Sequence, residues 1–181
     1  MIWRGLKVAI EFNPNVQGFE ALFQRMEELR EEIGTGKTDK IWRSCLTYAM
    51  EIVLQDAIAN APFDAKSKDG HIRDHIYLKV QKPQARDKAS SSYQGEMYLA
   101  RVSASPIRDS TVYNTILNKK GRFQTVTNGK KPVGVSQEFG NARVPAKPFM
   151  RPALLNNTDE VQGRLGVALM AQIAKLAEHK G

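Results

Sequence analysis

Residues 71–82, His-Ile-Arg-Asp-His-Ile-Tyr-Leu-Lys-Val-Gln-Lys, mark where the chain changes character. Ile76-Tyr77-Leu78-Lys79-Val80 is dense in β-branched and aromatic residues and reads as a strand. Met97 to Ala104, containing Tyr98-Leu99-Ala100-Arg101-Val102-Ser103, reads as a second. The polar stretch 84–95 lies between them as a loop, so two adjacent antiparallel strands are expected. Upstream the period is helical. Phe19, Leu22, Phe23, Met26, Leu29 and Ile33 recur at three- and four-residue steps against Glu20, Glu27, Glu28, Glu31 and Glu32. Gly34-Thr35-Gly36 interrupts that helix, and Thr38 is positioned to cap a second one. Its stripe is Trp42, Leu46, Ala49 and Val53, widened by Ile41, Cys45 and Ile52, and Asn60-Ala61-Pro62 closes it. Leu6, Val8, Ile10 and Phe12 alternate with Lys7, Ala9 and Glu11 as a short strand ahead of both helices.

Downstream, Val112–Leu117 suits a helical turn and Arg122–Thr127 a strand between turn signals, so residues 106–132 are expected as an extended basic loop or hairpin insertion. Val133–Phe139 reads as a further strand ended by Gly140. A final helix carries Val161, Leu165, Ala168, Leu169, Ile173 and Leu176 on one face, with Pro152 tolerated in the first turn. Gly163 and Gly166 weaken that helix and suggest close approach of another element. The resulting fold class is α+β in one domain, residues 1–181. An antiparallel sheet of about four strands is packed by the helical N-terminal segment and the C-terminal helix.

The chain has 181 residues, 41% of them apolar, which suits one domain with a real core and excludes wholesale disorder. No apolar run reaches the roughly 18 residues of a membrane span, and no secretion signal is expected, since no apolar stretch follows Arg4 and Lys7. A soluble protein without membrane partners is expected. One cysteine, Cys45, excludes an intrachain disulfide.

Several catalytic patterns fail on inspection. Gly36-Lys37-Thr38 resembles the end of a phosphate-binding P-loop, but Glu31 stands where another glycine is required, and a helix rather than a strand precedes it. His71 and His75, with Asp69 and Asp74, have a suggestive metal-ligand spacing; the segment runs into a strand, and ordinary surface or capping roles are preferred to zinc. Cys45 lies on an apolar stripe with no base to activate it, and Ser90-Ser91-Ser92 is a loop composition. His179 suits a helix C-terminus. No enzyme and no cofactor are expected.

Charge is more informative. The chain carries 27 basic and 19 acidic residues, a net +8, divided as −2 over residues 1–60 and +10 over 61–181. Between Asn118 and Arg151 stand Lys119, Lys120, Arg122, Lys130, Lys131, Arg143, Lys147 and Arg151 against Glu138 alone, a net +7. Such a field attracts phosphate or an acidic protein without reading bases, and few aromatics interleave with it to stack single strands. A sequence-independent nucleic-acid-binding protein is therefore one reading; a solvated loop is the other.

A second feature is Glu138-Phe139-Gly140, followed by Pro145-Ala146-Lys147-Pro148-Phe149-Met150-Arg151-Pro152-Ala153. Gly140 permits a turn, while Pro148 and Pro152 stiffen the connection so that Phe149 and Met150 project from it, either as a docking strut or into the subunit's own core. Arg151 is expected to pair with a carboxylate such as Glu138. Together with Gly70-His71-Ile72-Arg73-Asp74-His75-Ile76, this combination resembles the tail-completion and neck proteins of long-tailed bacteriophages, the minor tail components that join head to tail. Where that family commonly has an aromatic ahead of its Glu-Phe-Gly element, this chain has Gly134-Val135-Ser136-Gln137. Residues 84–95 and 106–131 also exceed the family's usual lengths. The resemblance implies a non-enzymatic virion protein that forms a closed, sixfold ring at the head-proximal end of the tail or in the neck, with DNA passing through its lumen. It implies partners in a second copy of the chain, the tail tube or tail terminator, and the head-completion or connector proteins. Its location would be the virion, and the host cytoplasm during assembly. On this reading Glu138, Phe139, Gly140, Pro148, Phe149, Met150, Arg151 and Pro152 are the assembly interface, and Lys119, Lys120, Arg122, Lys130 and Lys131 face DNA weakly or face a partner.

Overall fold

The computed structural model describes residues 6–11, 20–63, 65, 71–104, 113–117, 123–127, 134–140, 142–143 and 145–178. The protein is α+β. In chain order the described elements are β1 (Leu6–Glu11), α1 (Glu20–Ile33), α2 (Thr35–Asn60), a 3₁₀ turn (Ile72–His75), β2 (Ile76–Gln81), α3 (Ala85–Lys88) and β3 (Leu99–Ala104). They continue with β4 (Tyr113–Leu117), β5 (Phe123–Thr127), α4 (Gly134–Phe139), α5 (Met150–Leu155) and α6 (Thr158–Glu178).

Among the described residues there are two smaller sheets in place of one of four strands. One has three strands in the order β1–β3–β2, and the other is the β4–β5 hairpin. The central strand β3 is buried at every position except Arg101, so both of its faces are covered, whereas β2, at an edge, buries only Ile76 fully. The hairpin is antiparallel, in register from Tyr113 opposite Thr127 to Leu117 opposite Phe123. Residues 113–117 therefore do not make a helical turn, and Val112 lies outside the described residues: cross-strand pairing settles what a short apolar run leaves ambiguous. A second correction concerns 133–139. Gly134–Phe139 is helical, and the carboxylate of its Glu138 accepts backbone N–H groups from the start of α5. The 84–95 loop also contains a turn of helix, α3, where the Asp87 carboxylate accepts from the Gln84 backbone N–H at 2.9 Å.

The chain divides into two compact units, with α2 and strands β1–β3 contributing residues to both. The first comprises residues 1–8, 54–77 and 102–155. Its buried apolar side chains include Ala57, Ala61, Ile76, Val102, Ala104, Phe149, Met150 and Ala153. The second comprises residues 9–53, 78–101 and 156–181. There Met26 of α1, the stripe Trp42, Cys45, Leu46, Ala49, Met50 and Val53 of α2, and Val161, Leu165 and Leu169 of α6 are buried. The four-residue steps of the α6 set are those of one helix face, and α1 packs on α6.

Helix boundaries moved in two places. Only Gly34, at φ +84°, separates α1 from α2, so Thr35 and Gly36 already belong to the second helix. Thr38 is consequently not its cap: it is buried, and its hydroxyl donates back to the Gly34 carbonyl at 3.1 Å. At the C-terminal end, Asn156 and Asn157 divide what periodicity reads as one helix into α5 and α6, with Pro152 in the first turn of the shorter piece. Gly163 does not mark a close approach. A Cβ there would meet nothing within 4 Å.

Candidate assembly interface

The Glu-Phe-Gly and Pro-Phe-Met-Arg-Pro segments meet within the first unit, and one carboxylate holds them together. Glu138 Oε2 accepts from the backbone N–H groups of Phe149 at 2.7 Å and Met150 at 3.0 Å, and Oε1 accepts from Arg151 at 3.0 Å. These N–H groups open α5, where no preceding turn supplies carbonyls to receive them, so a buried anion there meets three orphan donors at once. The Lys147 N–H closes the connection a second time by donating to the Gln137 carbonyl at 2.6 Å. Gly140, at φ +72°, makes the turn out of α4 that an L side chain would resist.

This geometry revises the roles read from sequence. Arg151 does engage Glu138, but through its main-chain N–H; its guanidinium sits 5.8 Å over the Phe139 ring. Phe149 and Met150 do not project as a strut. Each is only 1% exposed, packed as core. What remains on the surface is Phe139, 56% exposed, with Pro148 and Arg151 also exposed. The interface set thus splits into a buried latch of Glu138, Phe149 and Met150 and an exposed Phe139–Arg151 corner. Pro152 is half-buried beside it in α5.

Lys119, Lys120, Arg122, Lys130 and Lys131 lie outside the described residues. The first three fall in the five-residue connection 118–122 between β4 and β5.

The metal-like spacing around His71 and His75 has local uses. The Asp74 carboxylate accepts from the His71 backbone N–H at 3.2 Å, and the His71 ring lies 4.3 Å from that of Phe63, which also carries the Arg73 guanidinium at 4.2 Å. Asp69 lies outside the described residues, among which no group of three metal-ligating side chains is found. Gly36-Lys37-Thr38 forms the first turns of α2 directly after α1, not a loop leaving a strand. Cys45 is buried, and burial pushes its thiol pKa up, away from the thiolate. Among the described residues, no helix is long and apolar enough to cross a membrane.

One polar cluster had no sequence signal. In the second unit the Lys82 ammonium lies 2.6 Å from Asp39, whose carboxylate also accepts a hydrogen bond from the Tyr98 hydroxyl. Trp42 stacks on Tyr98 with ring centroids 6.1 Å apart. Lys82 first, then Tyr98, holds the Asp39 carboxyl below the usual carboxylate range. Burial, then Asp39, pushes the Tyr98 phenol well above its ordinary value. The partners are 43 to 59 positions apart, so only the folded chain brings them together.

No protein-family model, curated protein or solved structure matches the chain.

Proposed function

We propose that this chain is a structural component of a long-tailed phage particle, forming a closed ring at the head-proximal end of the tail or in the neck. The observation that carries this reading is the Glu138 latch: two of the three sequence segments on which the resemblance rests are bonded to each other through three N–H groups. That bond gives their joint presence a physical purpose. It fixes the path from α4 to α5 and presents Phe139 and Arg151 on a rigid corner suited to a neighbouring subunit. A heterologous contact repeated by rotation closes into a ring when its angle divides the circle, here six copies. The ring would join the tail tube or terminator to the head-completion or connector proteins, with DNA threading its lumen. The chain would have no catalytic role. Light scattering on the purified protein, symmetry analysis of its images and protein composition of intact virions test this. Sixfold rings and presence in virions are expected; compact monomers together with absence from virions would refute it.

A second reading is favoured by the β4–β5 hairpin, whose connection carries Lys119, Lys120 and Arg122 with no acidic residue. A cationic connection without acids suits sequence-independent contact with the phosphate backbone. Duplex binding titrated across a salt series separates the two readings. Micromolar or tighter affinity with a steep salt slope supports nucleic-acid binding as the main role. Negligible binding beside ring formation supports the structural one.

A further inference from the structure

Helices α2 and α6 of the second unit leave between them a groove of about 410 Å³, lined by Tyr48, Asp159, Glu160, Gly163, Arg164 and Val167. Its apolar wall is unusually open. Tyr48 is 50% exposed, Val167 66%, and Met170, one turn further along α6, 63%. Gly163 leaves the middle free, since nothing lies within 4 Å of where a Cβ would be. The rim is acidic: Asp159 and Glu160 line it, and Glu51 of α2 acts electrostatically on Arg164. Arg164, the cation among the lining residues, is already engaged. Its Nε donates to Glu160 at 2.8 Å, and its guanidinium lies 5.8 Å over the Tyr48 ring. With Glu51 counted, the groove carries a net charge of −2.

An apolar slot with an acidic rim selects a basic peptide carrying apolar flanks, and repels phosphate. This chain contains such a segment. The connection Asn118-Lys119-Lys120-Gly121-Arg122 has three cations and no acid, is flanked in sequence by Leu117 and Phe123, and joins the two strands of the hairpin. We infer that the 118–122 connection of one copy docks into the α2–α6 groove of the next. The inference rests on the ring reading above and names its seam. Two unlike surfaces in contact make a head-to-tail interface, the kind that propagates in one direction and closes by rotation.

Charge reversal on each side provides the test. Asp159→Lys/Glu160→Lys makes the groove basic, and Lys119→Glu/Lys120→Glu makes the hairpin acidic. Either variant alone sets like charges against each other and is expected to weaken self-association at least about tenfold by sedimentation or light scattering. Mixed in equal amounts, each variant's hairpin meets the other's groove, and association is expected to return. Gly163→Gln, which fills the groove where space is open, is expected to weaken association about tenfold without lowering Tm, which separates seam loss from misfolding. Association that survives both reversals overturns the seam while leaving the ring reading intact. So does loss of duplex DNA binding by the hairpin variant with self-association unchanged, which would turn the lysines toward nucleic acid. A wild-type chain that stays monomeric also overturns the seam, and only its absence from virions would then overturn the ring reading as well.

Discussion

Glu138 is the residue on which the first unit's C-terminal half turns. It is buried, and its two oxygens receive three backbone N–H groups. Hydrogen bonds to a charged group contribute roughly 1.5–3 kcal/mol each, and orphaned buried donors carry their own desolvation cost. Glu138→Ala should therefore lose about 3–5 kcal/mol of stability, and Glu138→Gln, which retains one acceptor, less; urea unfolding of both variants checks the order. Asp39 and Tyr98 make a prediction about pH. A depressed carboxyl binds fewer protons folded than unfolded, so the stability from Asp39 is complete above the ordinary carboxylate value of about 4 and is lost as pH falls through the depressed one. Tyr98 is raised, so its contribution is complete below the ordinary phenol value of about 10 and is lost as pH rises above it. Asp39→Asn should flatten the acid limb of the urea midpoint against pH, and Tyr98→Phe the alkaline limb. An Asp39→Asn profile as steep as wild type on its acid side would place the sensitivity elsewhere, with Asp87 the next candidate. Desolvation raises that carboxyl, but the Gln84 N–H and Arg101 outweigh it and hold it low.

Among the elements, the joint between α1 and α2 offers the sharpest contrast. Gly34 and Gly36 both have open space around a would-be Cβ, yet only Gly34 has a positive φ. Gly34→Ala should cost about 1 kcal/mol through left-handed backbone strain, while Gly36→Ala, inside helical geometry, should gain up to about 1 kcal/mol. Thermal unfolding of the pair shows opposite shifts in Tm if the boundary lies at Gly34. Periodicity made α1, α2, α6, β2 and β3 legible, because each has a face that must be buried and the spacing of Met26, of Trp42 through Val53, and of Val161 through Leu169 records it. It misread 133–139, where a short run containing Val133, Val135 and Phe139 fits a strand as well as a helix. In the folded chain the segment is helical, and its Glu138 reaches the start of α5 eleven to thirteen positions on. The Asp39–Lys82–Tyr98 cluster was illegible for a related reason: no local pattern announces contacts that span 43 and 59 positions.

At the scale of the whole molecule, charge and apolar exposure are the features an assembly would use. The +3 of residues 118–122 and the acidic rim of the α2–α6 groove are opposite in sign, so self-association through them should weaken as salt is raised from about 50 to about 500 mM, where screening shortens to a few ångströms. Association insensitive to salt would point instead to the Phe139 corner. The Glu138 latch carries a different consequence. It spans the break that a protease would make at the exposed Ala142–Arg143 bend, since α4 lies on one side of the bend and α5 on the other. With a cleavage sequence inserted there, the severed polypeptide should run as two bands in detergent yet elute as one particle in buffer. A covalent chain through that bend would then be dispensable once folding is complete, and the two fragments, expressed apart, could find each other.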